Sequence, residues 1–184
     1  MHIFLTGGTG FFGRALLQRW AIQQSTGPNA VEVTVLSRSP AAFCTSYPEF
    51  AELPWLHFKS GDICNSDSLQ KNSAFTHVLH AAADSTLGPR MGAMQRYDQI
   101  VNGTRNMLDF AVRCKAQRFL FVSSGAVYGI QPPHLARISE EWHGMPDPMN
   151  SAHAYGIAKR TAEHLCALYS ETFGLHTVIA RCFA

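Results

Sequence analysis

At 184 residues the chain is long enough to bury a core of ordinary domain size, and a composition of 46% hydrophobic and 15% charged residues excludes a disordered chain. A formal net charge of +2 with no basic run argues against a nucleic-acid surface. The five cysteines, Cys44, Cys64, Cys114, Cys166 and Cys182, are far apart with no close CxxC pair, which points to reduced thiols in a cytoplasmic protein rather than a disulfide scaffold or zinc site.

The amino-terminal Met1–Leu5 is apolar but lacks the length and basic flank of a secretion signal, and no run of about 18 apolar residues predicts a membrane span. Ile3–Thr6 reads as a short buried strand, broken by Gly7-Gly8-Thr9-Gly10. From Phe11 to about Gln24 the pattern is helical, with Phe12, Leu16 and Trp20 in a packing stripe, and Gly27-Pro28-Asn29 ends it. Val31–Leu36 is strand-like, Arg38-Ser39-Pro40 opens a loop, and Ala41–Pro54 predicts a short helix and turns. Trp55–Phe58 predicts a third strand before Gly61-Asp62, and His77–Ala82 a fourth. Helical periodicity over Tyr97–Cys114 precedes a fifth strand at Arg118–Ser123. A proline-rich polar insert, Gln131–Asn150, is expected to be an ordered excursion; a long helix over Ser151–Thr172 and a sixth strand at Leu175–Ala180 follow. Strands alternating with helices predict an α/β fold of Rossmann type, a doubly wound, mostly parallel sheet with helices on both faces.

Gly7, Gly10 and Gly13 form GxxGxxG between the first strand and the first helix. Missing side chains there permit a tight turn, close approach of backbone N–H groups to a pyrophosphate, and close packing of helix on strand. Phe11 and Phe12, inside that segment, are counted with the cofactor-binding residues. An acidic residue at the end of the second strand would bind ribose hydroxyls, but this chain reads Leu36-Ser37-Arg38. Arg38 can pair with a 2′-phosphate and Ser37 can donate to it, so the cofactor is NAD(P), leaning to NADP. Asp62 is placed to accept from the adenine amino group, with Ile63 beside it.

Tyr155 and Lys159 are four apart within a helix and share a face. A cation in that position favours a phenolate and can also reach a nicotinamide ribose. Ser124 lies just beyond the fifth strand, where its hydroxyl can polarise a reacting carbonyl or alcohol oxygen, and Ser123 precedes it on the cofactor side.

With these residues in hand, the chain resembles the extended short-chain dehydrogenase/reductase family and its NAD-dependent epimerase/dehydratase group, which acts on nucleotide sugars. The matching segments are Thr6–Gly13, Gly61-Asp62, His80-Ala81-Ala82, Val101-Asn102-Gly103-Thr104, Ser123–Gly129 and Tyr155–Lys159. The resemblance implies that Tyr155 is the catalytic acid or base, Lys159 its charge partner and ribose ligand, and Ser124 the ligand of the substrate oxygen. It implies that Asn102 organises the site and that Ala81 and Ala82 border the cofactor. It further implies a homodimer formed by two helices per subunit, with Leu108, Leu165 and Leu168 at the interface. In the family's sugar 4,6-dehydratases an Asp and a Glu follow the position of Ser124, whereas here Gly125 and Ala126 stand there, which argues against dehydration. Ala184 stands where an Asn is common. Residues 1–184 are expected to be the NAD(P)-binding domain, with the smaller substrate domain of such proteins not included in the chain.

Nine histidines show no HExxH or other compact ligand spacing, so no metal site is expected. The leading expectation is an NAD(P)-dependent epimerase or oxidoreductase working by hydride transfer at a hydroxyl or carbonyl carbon of a nucleotide sugar. A dehydratase or decarboxylase of the same family is the alternative within that class. A non-catalytic NAD(P)-binding regulatory protein is the alternative outside it, and the presence of Ser124, Tyr155 and Lys159 together argues against it.

Overall fold

Apolar strands alternating with helices give six parallel strands in the spatial order β3-β2-β1-β4-β5-β6. The computed structural model describes residues 1–26, 31–69, 74–83 and 91–183. In chain order these contain β1 (His2–Thr6), α1 (Phe11–Thr26), β2 (Glu32–Ser37), α2 (Pro40–Ser46), β3 (Leu56–Ser60), β4 (His77–His80), α3 (Ala93–Arg113), β5 (Arg118–Ser124), α4 (Ala154–Phe173) and β6 (His176–Cys182). Short 3₁₀ turns stand at Pro48–Phe50, Ser66–Leu69, Gly125–Tyr128 and Ser151–His153. This strand order is the one from which dinucleotide-binding α/β folds are built, with the ligand crevice at the carboxyl ends of β1 and β4 where the order reverses.

The period of two along β1 explains the two layers. Ile3 and Leu5 enter a core with Leu17 and Trp20 of α1, Phe43 of α2, and Val33 and Val35 of β2. Phe4, pointing the other way, enters a core with Val78, Phe110, Phe119 and residues of α3 and α4. Its ring sits 4.5 Å from that of Phe110 and 5.0 Å from that of Phe75, so truncating Phe4 is expected to cost about 3–5 kcal/mol.

Several boundaries differ from the sequence expectation. In α1 the buried apolar side chains are Leu17 and Trp20, with Leu16 packed against them, while Phe12 stays on the surface at 47% exposure. The strand at His77 stops at His80, so Ala81 and Ala82 belong to the loop after it. The third helix starts at Ala93, four residues before the expected Tyr97, and a 3₁₀ turn precedes α4. No helix or strand interrupts the stretch from Gln131 to Asn150. The Gly27-Pro28-Asn29 terminator and Ala184 lie outside the described residues. None of the five cysteines forms a disulfide.

Candidate active site

The turn after β1 is shaped by backbone contact. Gly7 takes φ +74°, and a Cβ there would sit 2.5 Å from the carbonyl carbon and oxygen of Ala81. At Gly13 a Cβ would come within 2.3 Å of Gly7 O and Gly8 Cα, so only glycine lets α1 start this close to the turn. Gly10 N donates to Gly7 O at 3.0 Å, and Arg14 N donates to Gly10 O at 3.0 Å as the helix opens. No acidic side chain occupies the first turn of α1, so its unpaired N–H groups and positive dipole end are open to an anion. Phe11, 76% exposed, and Phe12 line the cavity here with their rings edge to face, 5.4 Å apart.

Beneath the turn lies a support the sequence reading did not foresee. Thr6 Oγ1 accepts from Ala82 N at 3.3 Å and shares a hydrogen bond with His80 Nδ1 at 2.7 Å, while His80 Nε2 reaches Thr104 Oγ1 at 3.2 Å. Burial, with Lys159 nearby, pushes His80 down to about 3, so the ring is a neutral bridge locking β1, β4 and α3.

A cavity of about 960 Å³ runs from this turn along the carboxyl edge of the sheet, a size suited to a cofactor and small ligand. Ser37, Arg38, Asp62 and Ile63 line one end. Ser37 Oγ accepts from Ser39 N at 3.2 Å, which leaves its own hydrogen to donate. Asp62 is fixed at both ends, its N–H on Ser68 Oγ at 3.2 Å and its Oδ1 accepting from Cys64 N at 2.8 Å.

Asn102 does not join them. It is exposed on α3 and absent from the cavity wall, whereas Gln99, three residues earlier, lines it. The helix phase explains the difference: Ile100, Gly103, Thr104 and Met107 occupy the buried stripe, and Asn102 falls on the opposite side. Asn106, not Asn102, ties this helix to the loop by donating to Ile63 O at 2.8 Å.

At the other end the carboxyl tip of β5 meets the start of α4. Ser123, Ser124, Tyr155 and Lys159 all line the cavity there. Ser124 Oγ accepts from Ala126 N at 3.2 Å, capping the 3₁₀ turn and leaving the hydroxyl hydrogen available. Ser123 is buried and spends its hydroxyl on Glu163 Oε1 at 2.6 Å. Lys159 is only 3% exposed; its Nζ donates to Val122 O at 2.8 Å and lies 4.7 Å from the Phe121 ring centre and 6.0 Å from that of Tyr155. Burial pulls Lys159 down to about 8, against the opposing pull of Cys182 and Glu163.

The insert supplies a further wall through Gln131 and Ile138, with Phe183 after β6 opposite. Arg160 holds it, donating to Val127 O at 3.1 Å and Gly144 O at 2.8 Å. His153 Nδ1 accepts from Asp147 N at 2.9 Å, so this histidine braces the insert and is absent from the cavity wall. Among the described residues no group of three or more His, Cys, Asp and Glu side chains is placed to hold a metal ion.

Comparison with known proteins places this geometry. A dTDP-glucose 4,6-dehydratase from Streptomyces niveus is 28% identical over 185 residues, covering 99% of this chain and 53% of that protein. UDP-glucuronic acid decarboxylase 1 of Xenopus tropicalis is 28% identical over 184 residues, covering 99% and 40%. The solved structure of the dTDP-glucose 4,6-dehydratase DesIV from Streptomyces venezuelae, with NAD bound, superposes with a TM-score of 0.81 at 26% identity, covering 99% of this chain and 55% of that one. The UDP-glucuronic acid 4-epimerase from Bacillus cereus, in complex with UDP-glucuronic acid and NAD, gives 0.76 at 25% identity, covering 98% and 56%. The chain spans about half the length of the curated relatives it matches. The sequence profile of the NAD dependent epimerase/dehydratase family matches residues 3–184, and with its glycine turn, sheet order and Tyr155–Lys159 pair the chain belongs to that family.

Proposed function

We propose that the chain is the cofactor-binding part of an NAD(P)-dependent epimerase or oxidoreductase that acts by hydride transfer at a hydroxyl or carbonyl carbon of a nucleotide sugar. The observation that carries this reading is the shared cavity, with the Gly7–Gly13 turn along one stretch and Ser124, Tyr155 and Lys159 together at one end. The glycine turn fits a pyrophosphate, because the space a Cβ would fill is already taken by backbone and the helix N–H groups stay open. When bound, a nicotinamide dinucleotide supplies the hydride acceptor and donor. Ser124 donates to the reacting oxygen, Tyr155 takes or returns its proton, and Lys159 holds the ribose with its ammonium 6.0 Å from the centre of the Tyr155 ring. Ser37 and Arg38 support a lean toward NADP, since a guanidinium there pairs with a 2′-phosphate.

Dehydration is disfavoured by Gly125 and Ala126, which carry no acid or base. The dehydratase and decarboxylase relatives support the nucleotide-sugar class more than any one of its reactions. A substrate-side domain from a longer protein completes the site in this reading. A cytoplasmic location, with neither nucleic acid nor membrane as a partner, belongs to the same proposal. Among the described residues no helix is long and apolar enough to cross a membrane.

A homodimer through α3 and α4 belongs to the same reading, with one revision to its contacts. Leu108 and Leu165 are buried within the chain's own core, so of the three leucines named only Leu168, 43% exposed, can face a second copy.

The test of the function is isotopic. With the full-length protein and a nucleotide sugar labelled at the carbon-bound hydrogen of the reacting alcohol, label should pass to the nicotinamide. Turnover in which the label is lost to solvent, neither kept on the nicotinamide nor returned to the sugar carbon as an epimerase would return it, would remove hydride transfer from the reading.

A further inference from the structure

Three side chains of α4 at successive four-residue steps, Tyr155, Lys159 and Glu163, share one stripe of the helix, and the function proposed above uses only the first two. Glu163 is buried, yet it is fully engaged. Its Oε1 accepts from Ser123 Oγ at 2.6 Å and from Arg181 Nε at 3.0 Å, and its Oε2 accepts from Arg181 Nη2 at 2.8 Å. Arg181, on β6, also donates to Tyr128 Oη at 2.7 Å and to Glu140 O at 3.1 Å, and so carries the connection to the 3₁₀ turn and the insert.

The contacts converge on two consecutive residues of β5. Val122 offers its carbonyl to the Lys159 ammonium, and Ser123 offers its hydroxyl to Glu163. One turn of α4 therefore grips the strand end that leads into Ser124. The groups set around Lys159 are Tyr155 and Glu163 on α4, the Phe121 ring and Val122 carbonyl on β5, Cys182 on β6, and the neutral His80 on β4. Glu163 is the carboxylate in that set.

We propose that Glu163 is a positioning residue for Lys159: held by Ser123 and Arg181, it fixes the Val122–Ser123 segment and supplies the negative charge against which the buried ammonium is kept cationic at the cavity wall. A buried cation needs a compensating partner, and a carbonyl dipole alone is a weak one. Tethering the carboxylate to the strand that also holds the ammonium keeps the spacing between the two charges fixed. The proposal rests on the reading of Lys159 as a working residue, but its test observes Lys159 directly and needs no turnover.

The experiment is a ¹³C NMR titration of lysine ε-carbons in the full-length protein, with Lys159→Arg identifying the Lys159 signal. Parent, Glu163→Gln and Glu163→Asp proteins are compared, and NADP affinity is measured for each. Removing the anion should lower the Lys159 midpoint by about half a pH unit or more and weaken NADP binding by roughly threefold or more. Glu163→Asp keeps the charge but withdraws it from Ser123, and should move the midpoint the same way by less. A purely structural ion pair would lower the melting temperature and leave the Lys159 midpoint where it was. That outcome in folded Glu163→Gln overturns the proposal; should Glu163→Gln fail to fold, an unchanged midpoint in Glu163→Asp overturns it equally. A protein that transfers no hydride can still show the shift, so the two readings fail separately.

Discussion

The ring of Phe183 lies where a side chain at position 125 would have to go: a Cβ built on Gly125 comes within 2.4–2.9 Å of three of its ring carbons. The ring stacks on Tyr128, 6.1 Å away at an interplanar angle of 16°, and both Gly125 and Phe183 line the cavity beside Ser124. The position where dehydratases of the resembled family carry an acid is therefore sterically occupied as well as chemically empty.

Gly125→Ala should cost about 1 kcal/mol of stability, at the low end for overpacking, because Phe183 is 67% exposed and its ring can swing away. Adding Phe183→Ala should return most of that loss, since the clash would then be gone. Urea unfolding of the two single variants and the double variant checks this. Strictly additive losses would show that the two residues are not in conflict.

Lys159 gives the protein a pH signature. Its folded value of about 8 lies below its ordinary 10.5, so below pH 8 both states are protonated and the cost of burying the charge is fully present. Between those values the folded protein gives up the proton first, the unfolded chain binds more protons, and stability rises with pH. Relative to Lys159→Met, which cannot titrate, the parent should gain on the order of 2–3 kcal/mol across that window. Denaturant unfolding at several pH values measures it. Parallel curves for the two proteins would mean the ammonium carries no such penalty.

In the proposed reading cofactor choice turns on Arg38, an exposed residue lining the cavity. Arg38→Ala should weaken NADP binding by roughly tenfold or more, as expected for losing a charge-assisted hydrogen bond, and leave NAD binding nearly unchanged. Calorimetric titration with both nucleotides decides it. Equal losses for the two would show that Arg38 does not read the 2′-phosphate.

Assembly is checked at Leu168. Leu168→Glu should shift the full-length protein toward monomer in light scattering, because a charge buried against a second copy would be unpaired. A parent protein that is monomeric at high concentration would remove the dimer.

Much of this was legible in the sequence because the signals were local. A turn with three glycines at fixed spacing needs no knowledge of what packs on it, and Tyr155 and Lys159 share a helix face by arithmetic alone. What was missed depended on phase and on distant partners. Seeing that Gln99 lines the cavity and Asn102 does not takes the rotation of α3, where Ile63 packs on Gly103 from a loop about 40 residues away in sequence. Leu108 and Leu165 looked spare on their helices because α3 and α4 cover each other as well as the sheet. Phe12 fits an apolar stripe by spacing, yet the cavity mouth takes it. The roles of Arg160, His153 and His80 rest on backbone or hydroxyl partners that no short motif names.

In the proposed reaction Tyr155 and Lys159 divide the chemistry, one moving a proton and the other holding both charge and cofactor. Turnover and NADP dissociation constants for the full-length parent, Tyr155→Phe, Lys159→Ala and Ser124→Ala proteins test it most directly. Tyr155→Phe should abolish hydride transfer with cofactor affinity nearly intact, and Lys159→Ala should damage both. Ser124→Ala should slow turnover by roughly 100-fold, the loss expected for one donor to a reacting oxygen. Near-normal hydride transfer in Tyr155→Phe would contradict the account.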